Sequence, residues 1–264
     1  EYRYYPDESG EYHIPEYHKH AIVYGTTLKS ICSTLNNAIY NSTDGIVNFI
    51  SSITNKGIVL SKSTILRWNR ELSTKLQPEI EKIEEELTES YYLNADDSSF
   101  KISGNGYNDL CVCNDKYTRL WISNSKSHDA WKEHTLLSSY QGVIIKDGTD
   151  TFNGFGIFLS QCASHLLRYL KGVYDFVDHT GARKMAEFLK LCIHKRKCKI
   201  SGGYTEFSQN ELDELEAEYA SIFRLWKKEW MHSSPSDNSV YEDERRLLSR
   251  FEDEEERTQI LYFL

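Results

Sequence analysis

Two aspartates are the residues of this chain best suited to chemistry. Asp96 stands inside a strand-like run, Tyr92–Ile102, and Asp147 ends the apolar run Val143-Ile144-Ile145-Lys146 just ahead of Gly148. An acid within a strand is unfavourable unless its charge is compensated, because a buried unpaired carboxylate is costly or takes up a proton. Two carboxylates meeting at one point repel, and a divalent cation answers both difficulties. Two such ions about 3.5–4 Å apart can activate a water or hydroxyl and stabilise the leaving oxygen of an in-line phosphodiester displacement. A strand aspartate can equally cap a turn or pair with a lysine, and spacing alone leaves both readings open.

The other metal-binding residue types form no such pattern. The six cysteines, Cys32, Cys111, Cys113, Cys162, Cys192 and Cys198, contain no C-x-x-C pair. Structural zinc needs closely spaced ligands from two places, so reduced and mostly buried thiols are expected instead. His13, His18 and His20 lack a helical i,i+4 pairing and read as surface or packing histidines.

The elements that must position the two acids follow from periodicity. Residues 1–20, rich in tyrosine around Pro6-Asp7-Glu8-Ser9-Gly10, read as a small hairpin. Leu28, Ile31, Cys32, Leu35 and Ile39 recur at helical spacing. A second helix capped near Thr43 or Asp44 carries Ile46, Phe49, Ile50 and Ile53; Lys56-Gly57 breaks it, and Ser61 or Ser63 opens a third. This pair reads either as a helix-turn-helix, with Lys62, Arg67 and Arg70 outward toward a DNA groove, or as a helical hairpin packed for its own sake. Pro78 restarts an acidic helix to about Ser90.

Strands are then predicted at Tyr92–Ile102, Leu110–Asn114 and Thr118–Ser123, a helix from Ser127 to Tyr140, and strands at 143–146 and 157–162. Helices are expected at about 163–177 and 181–195, and one from the capping box Ser208-x-x-Glu211 to about Trp230. Residues 233–240 read as a loop before a last charged helix. Three meandering strands, a helix and a buried strand open a ribonuclease-H-like α/β topology, in which the first and fourth strands are neighbours. Asp96 and Asp147 would then share one end of the sheet. The predicted organisation is an N-terminal helical region (1–90), a ribonuclease-H-like core with a mixed sheet (91–180) and a C-terminal helical insertion (181–264).

The 264 residues include 39% hydrophobic and 13% aromatic side chains, which excludes wholesale disorder. Lys+Arg 31 against Asp+Glu 40 gives a net charge of −9, at first sight unfavourable for a nucleic-acid partner. The acid is concentrated in 79–89, 211–218 and 242–257, however, while 161–200 is basic. That block can face phosphates or be an ordinary solvated surface. No apolar run approaches the ~20 residues that span a bilayer, and no secretory leader is visible. With Glu1 first and Met only at 185 and 231, the chain is expected to continue upstream.

Several segments carry a resemblance. Tyr92-Leu93-Asn94-Ala95-Asp96-Asp97-Ser98-Ser99-Phe100 resembles the first catalytic motif of the insertion-sequence-66 family of DDE transposases, His-x-Asp-Glu-Thr followed by a small residue and Trp. Gln141–Gly148 is similar to its second motif, a Gly-Val-Leu strand ending in Asp-Gly, and Cys162–Lys171 to its Cys-x-x-His-x-x-Arg stretch. Tyr24–Leu28 and Ser61–Trp68 resemble its Tyr-Gly-x-x-Leu and Ser-x-x-Thr-hydrophobic-x-x-Trp segments. The likeness runs from about Tyr24 to the C-terminus.

The resemblance implies DNA transposition. Asp96 and Asp147 become the first two catalytic, metal-binding carboxylates, with Mg²⁺ or Mn²⁺ as cofactor. The implied reactions are cleavage at the element's ends and attack of the freed 3′-hydroxyl on target DNA. His165, Arg168 and Lys171 would contact DNA or order the site, beside Lys62, Arg67 and Arg70. Double-stranded DNA, a homo-oligomer on DNA, no membrane and a cytoplasmic, nucleoid-associated location follow from the same likeness. Asn94, Asp97 and Ser98 stand where the family has His, Glu and Thr. The third acid, a Glu within Asn-Asn-x-x-Glu-Arg, has no match here and is expected beyond Leu264, so the fragment as given is expected to be inactive. The alternatives are a non-catalytic DNA-binding or assembly module, a decayed transposase remnant, and a ribonuclease-H-like nuclease unrelated to transposition.

Overall fold

The computed structural model describes residues 5–13, 15, 24–177, 179–233 and 239–264. Half of the predicted N-terminal hairpin (1–20) and most of the predicted loop over 233–240 fall outside these residues. Within 5–13, the Asp7 carboxylate accepts from Ser9 and from the Glu11 amide and lies 2.6 Å from His13 Nε2. His13 is thus an exposed surface histidine hydrogen-bonded to Asp7.

The chain divides into two compact units, Glu1–Ile80 and Glu81–Leu264. The first holds α1 (Thr26–Asn37), α2 (Thr43–Ile53) and α3 (Lys62–Lys75). Ser42 and Ser61 cap α2 and α3 by accepting from Gly45 N and Thr64 N, each satisfying an amide that the helix cannot. The helices share a core of Cys32, Ile46, Ile50, Leu60, Ile65 and Trp68. Between α2 and α3 the chain reverses through Asn55 and Lys56, both left-handed (φ 49° and 61°).

The second unit is built on a five-stranded mixed sheet. Its strands are β1 (Tyr92–Ile102), β2 (Asn105–Cys113), β3 (Thr118–Ser123), β4 (Val143–Lys146) and β5 (Phe158–Gln161), in the order β3-β2-β1-β4-β5. β1–β2 and β2–β3 are antiparallel; β1–β4 and β4–β5 are parallel. β2 starts five residues earlier than expected. Ser103 and Gly104 both take positive φ (51° and 86°), the geometry of a two-residue hairpin turn, so pairing resumes at once at Ile102–Asn105.

One face of this sheet is a closed core. Leu93, Ala95, Leu110, Val112 and Ile144 pack with Leu87 of α4 (Gln77–Thr88) and Trp131 of α5 (His128–His134). The predicted single helix to Tyr140 stops instead at His134. Thr135 is extended and uses its hydroxyl to bond Trp131 O and Leu137 N, starting a separate 3-10 turn. Toward β3 the opposite face is open, with Leu120 and Ile122 46% and 61% exposed.

The remaining helices form a second core. These are α6 (Ala163–Tyr174), α7 (Thr180–Ser201), α8 (Gln209–His232), α9 (Ser239–Glu252) and α10 (Glu254–Leu261). Met185, Phe188, Leu215, Tyr219, Trp226 and Phe251 are among its buried members. The Ser208/Glu211 capping box opens α8 as predicted. α7 runs past the expected end at 195, and the last helix is two: Asp253 accepts from Glu256 N and caps α10, ending α9 at Glu252.

Candidate active site

β1 and β4 run side by side in the same direction, with Tyr92, Leu93 and Asn94 opposite Val143, Ile144 and Ile145. Asp96 lies two residues past the last of these pairs on β1, and Asp147 two residues past it on the β4 side. Parallel strands lie about 4.8 Å apart, so this register brings the two acids to one end of the sheet and to the same face as Asn94 and Ile145. Asp96 Oδ1 accepts from the Asp97 amide at 2.9 Å. Asp147 Oδ1 accepts from Thr149 N at 3.0 Å and Thr149 Oγ1 at 2.8 Å, which folds the chain after β4 into a tight turn.

The premise that Asp96 needs its charge consumed because it is buried does not hold. Its side chain is 58% exposed, with α6 reaching it only through His165. The acid is accessible rather than desolvated. Across β2 it faces Cys111, whose thiol is pushed up to about 11 by burial first, and then by Cys113, Asp109 and Asp96.

Two basic side chains reach this end of the sheet, one beside Asp96 and one on its neighbour Asp97. His165, in the first turn of α6, places Nε2 3.9 Å from Asp96 Oδ2, while its buried Nδ1 has no hydrogen-bond partner among the described residues. Lys126, in the loop between β3 and α5, donates to Asp97 Oδ1 at 2.9 Å. That bond and the Asp97 charge, with smaller pulls from Asp147 and Asp96, hold the Lys126 ammonium above its usual range. Nothing in the local sequence marks Lys126; the sheet end gathers it.

Behind Asp147, Lys146 is buried and donates to Thr149 O at 2.8 Å. Burial lowers its pKa, opposed chiefly by the nearby Glu256 carboxylate.

Among the described residues no group of three or more His, Cys, Asp or Glu side chains is arranged to hold a metal. Two carboxylates suit a hard ion of the Mg²⁺ type, which keeps several waters and takes one or two protein carboxylates. The exposure of Asp96 leaves room for those waters. All six cysteines are free, but only Cys32 and Cys192 are buried, and Cys198 is exposed; the expectation of mostly buried thiols is corrected accordingly.

The basic residues singled out in the sequence are dispersed. Arg168, one turn beyond His165 on α6, lines a cleft of about 530 Å³ with Tyr169, Phe176, Arg246 and Arg250. Lys171 pairs with Asp175. In the first unit, Lys62 lies 2.8 Å from Asp44, Arg67 3.8 Å from Glu71, and Arg70 is exposed on α3. No helix among the described residues is long and apolar enough to cross a membrane.

No curated protein matches the chain. The model of the transposase IS66 family matches residues 38–264, which takes in the helical first unit from the end of α1, both aspartates and all of α6–α10; Tyr24–Leu28 lies ahead of the match. With most of its length covered in this way, the chain belongs to the IS66 family of transposases.

Proposed function

We propose that this chain carries the strand-cleaving and strand-joining centre of a DDE-type transposase, with Asp96 and Asp147 as two of its catalytic, metal-holding carboxylates. The single observation that carries the reading is the parallel β1–β4 register, which brings acids distant in sequence to one sheet end. The strand order β3-β2-β1-β4-β5, with three antiparallel strands and two parallel additions, supports a ribonuclease-H-like core at 91–180. We assign 1–90 to the DNA-reading front and 181–264 to a helical insertion.

A bound Mg²⁺ or Mn²⁺ would supply the positive charge that in-line phosphodiester displacement requires. Asp96 and Asp147 would hold that ion, and the amides of Asp97 and Thr149 keep their carboxylates fixed. In cleavage, a water oxygen bonds to phosphorus as the bond to the 3′-oxygen breaks, leaving a 3′-hydroxyl and releasing a proton. In joining, that hydroxyl's oxygen bonds to a target phosphorus as the target's own bond from phosphorus to its 3′-oxygen breaks, the proton passing to the departing 3′-oxygen. His165 and Arg168 flank the path that a DNA strand takes toward Asp96; Lys171 extends it, and Lys62, Arg67 and Arg70 offer α3 to duplex DNA. We propose a homo-oligomer on DNA, with element ends and target as partners.

The test is Mn²⁺ titration of the chain, followed by DNA cleavage assays on a longer form that supplies a third acid. Asp96→Ala and Asp147→Ala should each abolish Mn²⁺ uptake and metal-dependent cleavage of element-end DNA. Unchanged Mn²⁺ affinity in either variant overturns the assignment. The lack of a third acid beside the pair, among the described residues, favours a second reading as a DNA-binding module without chemistry. Salt-sensitive binding without cleavage in any extended form would support that alternative.

A further inference from the structure

Gly148, directly after Asp147, is not required by its backbone, since its φ lies outside the left-handed region. A guanidinium requires it. A Cβ at this position would lie 2.5 Å from Arg250 Nη1 and 2.7 Å from Arg250 Cζ and Nη2. Arg250, near the end of α9, therefore rests flat against the backbone of the turn that carries Asp147.

Arg250 is held there by independent partners. Nη2 donates to Gln161 Oε1 at 2.8 Å, at the buried end of β5, and Nε donates to Glu256 Oε2 at 2.9 Å, in the first turn of α10. Gln161 Nε2 donates in turn to Gln259 Oε1 at 3.2 Å. The arginine side chain is only 16% exposed. A planar fork with donors committed in two directions is pre-organised, and little of it is left for a passing phosphate.

From this we infer that Arg250 is a positioning residue for Asp147: the α9–α10 segment reaches back over the sheet and presses the 147–149 turn into the conformation that aims the carboxylate toward Asp96. The inference rests on the proposed metal-holding role of Asp147, but the contact itself does not. On this view the helical insertion is part of the active-site scaffold, and Gly148 follows Asp147 because a side chain would displace the clamp.

The test reads the turn itself. The Thr149 amide, bonded to Asp147 Oδ1, reports by hydrogen exchange whether the carboxylate is held. In Arg250→Ala it should exchange about ten times faster, as loss of a charge-assisted contact implies, while Arg246→Ala on the same helix should leave it unchanged. Gly148→Ala should loosen the turn similarly, and adding Arg250→Ala should restore part of the protection, because the methyl then occupies the vacated space. Mn²⁺ affinity should follow the same order. An unaltered Thr149 exchange rate in Arg250→Ala overturns the inference whatever the metal does. Absent Mn²⁺ uptake by the unmodified chain counts against the metal-holding reading alone.

Discussion

Lys126 Nζ lies 2.9 Å from Asp97 Oδ1 and within the field of both Asp96 and Asp147. The ammonium pairs with Asp97 and lies near the other two carboxylates. Replacing it by Lys126→Gln should cost the metal-free chain no more than about 1 kcal/mol of stability and lower its thermal midpoint modestly, because the side chain is half exposed. Added Mn²⁺ should then raise the midpoint more than in the parent. Equal Mn²⁺ increments in the two chains would show that this lysine does not balance the acids.

Glu244 is fully buried among α7, α8 and α9, where its Oε1 meets His179 Nδ1 at 2.8 Å and accepts from Trp226 Nε1 at 2.7 Å. Glu244→Ala should destabilise the unit by about 3–5 kcal/mol, since it strands two buried donors at once. Glu244→Gln keeps an acceptor and should cost about 1–2 kcal/mol. Urea unfolding monitored by Trp fluorescence measures both, and a loss below that of the Gln variant for the Ala variant would contradict the pairing.

Glu211 closes the α8 capping box and accepts from Lys199 at 2.7 Å. The Lys199 hydrogen bond first, and then those from Ser208, hold its carboxyl down to about 2, from an ordinary value of 4.5. A carboxyl lowered in the folded state contributes stability above its unfolded value, and loses it as pH falls from 4.5 toward 2. The midpoint difference between the parent and Glu211→Gln should be full at neutral pH and vanish near pH 2. A difference independent of pH would rule out the ionised cap.

Arg70 projects from α3 without neutralising company from Asp44 or Glu71, which engage Lys62 and Arg67. If α3 meets duplex phosphates, Arg70→Ala should weaken binding and reduce the slope of log affinity against log salt by about 1. Fluorescence anisotropy across a salt series reads this, and an unchanged slope would place the DNA path elsewhere.

The strands around the site were legible because alternation and turn chemistry coincide there: β1 and β3 fall where the residues predict, and Asp96 and Asp147 reach the same sheet end. The exposure of Asp96 was not legible, since alternation tells which residues share a face but not whether another layer covers it. Asp253 hid inside an acidic run that reads as one helix; its capping role exists only once Glu256 N is free to donate. Lys126 and Arg250 were invisible for a different reason. Each meets its partner across a long stretch of chain, on a loop and a helix whose local patterns carry no trace of Asp97 or Gly148.

β1 and β4 are parallel neighbours, so no hairpin can join them; the chain must first complete β2 and β3 and cross over through α5. The acid pair is consequently absent from every locally closed intermediate, and arises only with the most entropically expensive strand pairing in the sheet. A copy that has not yet paired β4 with β1 holds Asp96 and Asp147 apart. The meeting of the two acids is thereby tied to completion of the whole sheet rather than to any one local segment.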